Sequence, residues 1–398
     1  MNVDWAEWIN LALRWLHLVC GIAWIGSSFY FIWLDNHLKP PKEGDASGEL
    51  WSVHGGGFYH NMKYNVAPAK MPEELHWFKW EAYFTWMSGF ALLVVIYYWG
   101  AQAYLLDPAK ADLAPWQAIA IGIGSLVLGW FVYDGLCRSP LKTNNAALGV
   151  IWFAYLVLAA FVLGRLFSDR AAYIHVGAMV GTAMAVNVFF VIIPNQRKVV
   201  ADLIAGRAPD PALGKMGKQR SLHNNYMTLP VLFIMISQHY PMTYGAERPW
   251  LVLALLAATG VAVRQVFNLR HAGKPTEAPI FVAIVLAVLS VTYVTSEKRN
   301  LAPPPPAAAG AASVTYASVE PILAQHCSSC HAAAPTDPAF SAPPLGLVLD
   351  SYAHARAAAD RIEAMAVDSE AMPLGNMTAM TLEERQTLGA WIAAGAPQ

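Results

Sequence analysis

The chain has 398 residues, of which 56% are hydrophobic and only 13% charged, and its mean hydropathy is +0.37. An ordinary soluble domain carries roughly 25% charged residues, so this composition leaves too few charges to coat a water-facing surface. The formal net charge of -1 argues against a nucleic-acid partner, which requires clustered Lys and Arg for phosphate.

In chain order, stretches of about 20 apolar residues, enough to cross a hydrocarbon core of ~30 Å, occur at 8-34, 77-99, 116-135, 146-166, 171-194, 223-240, 249-268 and 278-296. The expected fold is all-α: a polytopic membrane bundle of about eight transmembrane helices within residues 1-298, with the lipid bilayer as its solvent. Trp8, Trp77, Tyr97, Tyr98, Trp116, Tyr173, Tyr240 and Trp250 crowd the ends of these runs, where amphipathic rings favour the membrane interface. The sixth run is the weakest, being short and carrying Pro230, Gln238 and His239. The first does not read as a cleaved signal peptide, because Asp4 and Glu7 stand where a basic segment belongs.

With eight spans the loops alternate between two sides. One set, from Lys39 through Lys274, holds fourteen Lys and Arg, and the other, from Lys110 through Arg299, holds five. The positive-inside rule then places both termini outside the cytoplasm.

Residues 299-313, RNLAPPPPAAAGAAS, form a linker stiffened by Pro303 to Pro306 in a polyproline II segment. A separate domain, 314-398, follows. It contains CSSCH, Cys327 to His331: two thiols three residues apart add to the vinyl groups of haem, and His331 becomes an axial ligand of the iron. A zinc site lacks its second Cys pair, and a thioredoxin-like pair lacks its βαβ surroundings. Tyr316 to His326 reads as an amphipathic helix entering the motif, and Thr381 with Glu384 opens a closing helix in capping-box spacing. The sixth iron ligand is expected from Met372 in the turn AMPLGN, ahead of Met377, Met380 and Met365, any of which packs in the core otherwise. Cys20 and Cys137 read as small buried hydrophobes.

Ionisable groups inside a bilayer are costly and mark function. His17, His175 and His239 fall at similar depth in three spans, and His17 with His175 is the pair offered for a second haem, of b type, with Arg14 or Arg165 near its propionates. The bland alternative is that each imidazole is hydrogen-bonded between helices. The first inner loop carries His54, His60, His76, Lys79 and Glu81, with Asp134 and Arg264 at inner helix ends. His54, His60, His76 and Glu81 are the catalytic candidates, and Gly55 to Gly57 is either a close-approach point for a ligand or a flexible turn.

The segments VHGGGFYHNMKYNVAP, LHWFKWEAYFTWMSGF, HNNYMTLPVLFIMISQHYP and MPLGN resemble the membrane-bound bacterial urate oxidase (urate hydroxylase) family, an eight-helix domain fused to a cytochrome c domain, over nearly the whole chain. The resemblance implies oxidation of urate to 5-hydroxyisourate in purine degradation. Water supplies the oxygen, and electrons pass through haem c toward a cytochrome c acceptor or terminal oxidase without making hydrogen peroxide. It also implies a place in the bacterial inner membrane, with the cytochrome domain periplasmic. Two other classes compete: a non-catalytic subunit passing electrons from quinol or a dehydrogenase, and a transporter with a redox-sensing tail.

Overall fold

The computed structural model describes residues 5-65, 68, 72-301, 314-338 and 340-398; the linker expected at 299-313 lies outside the described residues from 302 onward. Helix α1 (Trp5–His37) leads into a hairpin of β1 (Gly48–His54) and β2 (Gly57–Lys63). Helix α2 (Trp80–Leu93) continues through a π-turn at Val94–Tyr98, followed by a short α3 (Ala101–Tyr104), α4 (Pro115–Arg138) and α5 (Asn145–Leu163). Helix α6 (Asp169–Val186) runs through a second π-turn, Asn187–Ile192, into α7 (Ile193–Ile204). Then come α8 (Pro211–Ser237), α9 (Pro241–Tyr244), α10 (Pro249–His271) and α11 (Glu277–Leu301). The C-terminal unit consists of α12 (Tyr316–His326), α13 (Ser328–His331), α14 (Tyr352–Ala357), α15 (Ala359–Ile362) and α16 (Leu382–Ala393).

Local chemistry sets several of these starts. The Asn144, Ser168 and Asp210 side chains accept from the first-turn amides of α5, α6 and α8, and proline occupies the first turn of α4, α8 and α10. Among the described residues, the hairpin departs from an all-α chain. Gly55 and Gly56 both have positive φ, 57° and 81°, which is what a two-residue turn between antiparallel strands demands. That segment is therefore a tight turn.

Seven helical stretches among the described residues are long and apolar enough to cross a membrane, so the chain is compatible with a multi-pass membrane protein. The sixth run of the sequence lies in the remaining long helix, α8, which packs against α6, α7 and α10. It begins at Pro211, well before the expected 223: the Asp210 side chain caps its first turn, and burial starts only at Arg220. In α6 and its continuation 67% of the most apolar window is buried, against 6% in α1 and in α11. The former is the central helix, and the latter two turn apolar faces such as Trp15, Ile22, Phe281 and Val291 outward.

Without a hydrophobic drive between helices in lipid, close approach depends on small residues. Gly177 of α6 meets Ile234 of α8 so closely that an added Cβ would lie 2.5 Å from Ile234 Cγ2. Gly177→Val is expected to destabilise the bundle by about 1–3 kcal/mol through overpacking. Gly181→Ala, where no atom lies within 4 Å, is expected to leave stability unchanged or slightly raised. Thermal unfolding in detergent distinguishes the two.

Candidate functional site

In the C-terminal unit, α12 delivers Cys327, Cys330 and His331 to one short helical turn. Both thiols are free and half-buried. Burial pushes the Cys327 thiol up to about 11 and raises Cys330 as well. His331 Nδ1 lies 3.1 Å from the Leu347 carbonyl, which fixes Nδ1 as the N–H donor and leaves Nε2 as the lone-pair nitrogen. Behind the motif, buried His326 bonds through Nδ1 to Thr378 Oγ1 (2.7 Å) and through Nε2 to Glu384 (3.2 Å). Thr381 and Glu384 close the expected capping box of α16, and the Thr381 amide holds the Glu384 carboxyl below the usual range.

The methionines separate clearly. Met380 is 4% exposed in the unit's own core, and Met377 is 40% exposed. Met365 packs against the apolar cluster of the bundle. Met372 is half-buried, and its carbonyl accepts from Arg385 Nη1 at 2.7 Å, so a buried guanidinium pins this loop.

That same loop docks on the bundle. Ala371 joins the cluster of Leu105, Leu106 and Tyr244. A Cβ on Gly245 would lie 2.8 Å from Ser369 Cβ, and one on Gly375 2.6 Å from the Leu106 carbonyl oxygen. Beside this contact Lys110 bridges Asp169 (2.6 Å) and Asp107 (3.8 Å). Burial pushes the Asp107 carboxyl up, Lys110 opposes this, and Glu370 of the C-terminal unit adds to it.

At the opposite, hairpin end of the bundle, polar side chains from several helices form a buried network. Arg220 of α8, 3% exposed, donates to Asp134 Oδ1 of α4 (2.6 Å) and to Asn187 Oδ1 in the second π-turn (3.1 Å). Asn187 Nδ2 donates to Asn224 Oδ1 (2.8 Å) and Tyr133 Oη (3.1 Å). Tyr133 in turn donates to His223 Nδ1 (2.9 Å), so His223 carries its proton on Nε2, facing Asn145 Oδ1 at 3.2 Å. A π-turn beside a buried polar group is a common feature of functional sites.

Adjacent to this network, Arg264 of α10 is 3% exposed and donates through Nε to Asn225 Oδ1 at 2.8 Å. Asn268 Nδ2 donates to the same oxygen at 3.0 Å. Arg264 borders a cavity of about 410 Å³ walled by Phe29, Tyr30, Trp33, Leu229, Phe267 and His271. A larger cavity, about 780 Å³, opens between α5, α8, α10 and α11; its walls are apolar, and the His223, Tyr133 and Tyr226 groups on it are already hydrogen-bonded.

The catalytic candidates read from the sequence do not converge. His60 stacks on Trp51 (4.2 Å) and bonds Glu49 Oε2 (2.8 Å), a pairing across the hairpin. His54 is exposed at the end of β1, and His76 is exposed against Phe78. Glu81 lies in the first turn of α2. His17 and His175 also occupy separate contacts. His17 Nδ1 bonds Thr85 O (2.9 Å) with its ring against Gly89. His175 is fully buried, with Nδ1 on Ala171 O (2.8 Å), Nε2 on Tyr98 Oη (3.2 Å) and its ring filling the space over Gly122. Both His175 nitrogens are engaged, so this arrangement does not fit a haem held between His17 and His175. His239 is exposed and joins neither, as is Arg14, which bonds Asn10, while Arg165 covers the Phe161 ring. Among the described residues no group of three His, Cys, Asp or Glu side chains is placed to hold a bare metal ion.

Sequence reasoning noted Arg264 and Asp134 only as residues at helix ends, and passed over Asn187, Arg220, Asn225, Asn268 and His271. The available signal was the run Arg220, His223, Asn224 and Asn225 just before an apolar stretch: polar residues continuing a helix inward call for partners.

A helical bundle of membrane type with buried polar side chains at one end and a thiol-bearing helical unit at the other defines the class. The chain belongs to the urate oxidase N-terminal family, which it matches over residues 4–296, and so it is an oxidoreductase-related protein with a urate-related function. Comparison with curated proteins and with solved structures gave no match.

The network predicts its own energetics. Asp134→Ala leaves the Arg220 charge buried and is expected to cost about 3–5 kcal/mol, whereas Asp134→Ala with Arg220→Met is expected to recover most of that loss. Unfolding of the single and double variants in detergent measures the difference.

Proposed function

We propose that this protein is a membrane-bound urate oxidase that converts urate to 5-hydroxyisourate, with electrons leaving through a c-type haem in the C-terminal unit (314-398). The observation that carries the reading is the pairing of a urate oxidase bundle with the Cys327, Cys330 and His331 turn on one chain. Two half-buried thiols one turn apart, an imidazole whose Nδ1 is tied to Leu347 O and the half-buried Met372 fit a haem that is covalently attached and axially ligated. When bound, such a haem takes electrons one at a time. The reaction balances as urate plus water giving 5-hydroxyisourate, two protons and two electrons, the electrons passing in turn to a cytochrome c or terminal oxidase.

The loop charges support a bacterial inner-membrane location with the hairpin end cytoplasmic. The docking of the C-terminal unit on the other end, at Leu106 and Gly245, supports a periplasmic position for that unit.

Replacing Cys327 and Cys330 with Ala is expected to abolish haem staining on a denaturing gel and urate-dependent oxygen uptake by membranes. Met372→Ala is expected to keep the covalent haem and lower its reduction potential, because a thioether ligand favours ferrous iron. A persistent stain in the double variant contradicts the attachment site, and an unchanged potential contradicts Met372. Urate-dependent oxygen uptake that survives loss of the haem contradicts the electron route.

A further inference from the structure

We propose that the cavity between α1, α8 and α10 at the hairpin end is the substrate seat, built for a planar anionic heterocycle with Arg264 as its anchor. This rests on the urate reading above and locates its site.

Arg264 carries the argument. Its guanidinium is buried in the apolar bundle, and no carboxylate of the described residues lies within ion-pair distance. Nε is used on Asn225, Nη2 has no hydrogen-bond partner, and the group covers the Phe29 ring at 3.9 Å. Arg220, in the same end of the bundle, has its carboxylate in Asp134. A buried charge without a counter-ion is strongly unfavourable, and a bound anion supplies the missing charge.

The neighbouring groups narrow the chemistry. Asn225 Nδ2, a donor, and Asn268 Oδ1, an acceptor, are both buried without partners, and so is His271 Nδ1 on the cavity wall. Of these, His271 lines the cavity together with Arg264, while Asn225 and Asn268 stand behind the guanidinium, joined to it through Asn225 Oδ1. A purine trione anion, whose ring edges alternate N–H and C=O, meets both the guanidinium and the imidazole nitrogen. The walls suit a flat ring, since Phe29, Trp33 and Phe267 present aromatic surface and His37 stacks on Trp33 at 4.9 Å. The volume, about 410 Å³, falls within the range of small-molecule sites, roughly 300–1,000 Å³.

The test uses purified full-length protein with urate as substrate and xanthine as a purine that competes for the seat. Arg264→Gln is expected to raise KM for urate and the inhibition constant for xanthine by about 10–100-fold, in line with loss of a charge-assisted contact. Asn268→Asp keeps size but exchanges the Nδ2 donor to Asn225 for a carboxylate one helical turn from Arg264, which competes with the anion; in protein whose unfolding in detergent shows it folded, the same direction of change is expected. Arg207→Gln, on an exposed ion pair with Asp202, is expected to change neither constant. Folded Arg264→Gln or Asn268→Asp protein with both constants unchanged overturns the seat and leaves the urate reading standing. Wild-type protein that does not oxidise urate overturns the reading itself.

Discussion

The buried pairing of Arg220 with Asp134 and Asn187 is the constraint on which the hairpin end of the bundle depends. In a medium that cannot solvate charge, a guanidinium needs its partners delivered by the protein. Three helical segments deliver them: α4 brings Asp134, the π-turn after α6 brings Asn187, and α8 brings Arg220. Asn187 then ties in Asn224 and Tyr133, and Tyr133 ties in His223. These bonds tie α4, the π-turn after α6, and α8 to one another. Helix α8 also presents Asn225, and through it Arg264, toward α1.

The two ends of the bundle do different work. Arg264 lies fifteen residues into α10 from Pro249, which is roughly 22 Å of helix at about 1.5 Å per residue. At the far end the loop carrying Met372 is held from within by Arg385 and from outside by Leu106, Tyr244 and Gly245. One segment therefore both completes the proposed iron site and fixes where the C-terminal unit sits. Between the ends, α2 carries the stacked pair Trp86 and Phe90, 5.5 Å apart, and its π-turn places Tyr97 6.3 Å from Tyr104.

Much of this was legible in the residues because it is written locally. Seven spans are apolar runs, and the Cys327 to His331 motif occupies a single helical turn. Met372 lies in a Pro- and Gly-rich turn and is half-buried, whereas Met380 sits in the core and Met377 is exposed. What escaped is what helices assemble between them. The bonds Arg220 to Asn187, Arg264 to Asn225 and Arg220 to Asp134 join residues 33, 39 and 86 positions apart. No periodicity announces such pairs. The histidines stand out in an apolar or aromatic text, but their partners are equally distant in sequence: His17 meets Thr85, and His175 meets Tyr98.

The most direct measurement of the central claim is an anaerobic titration of the purified full-length protein with urate, following the absorbance of its covalent haem. The account predicts conversion to the ferrous spectrum, with the oxygen of labelled water appearing in the product. An oxidised spectrum that persists under excess urate, or product whose new oxygen comes from dioxygen with hydrogen peroxide released when air is admitted, would contradict it.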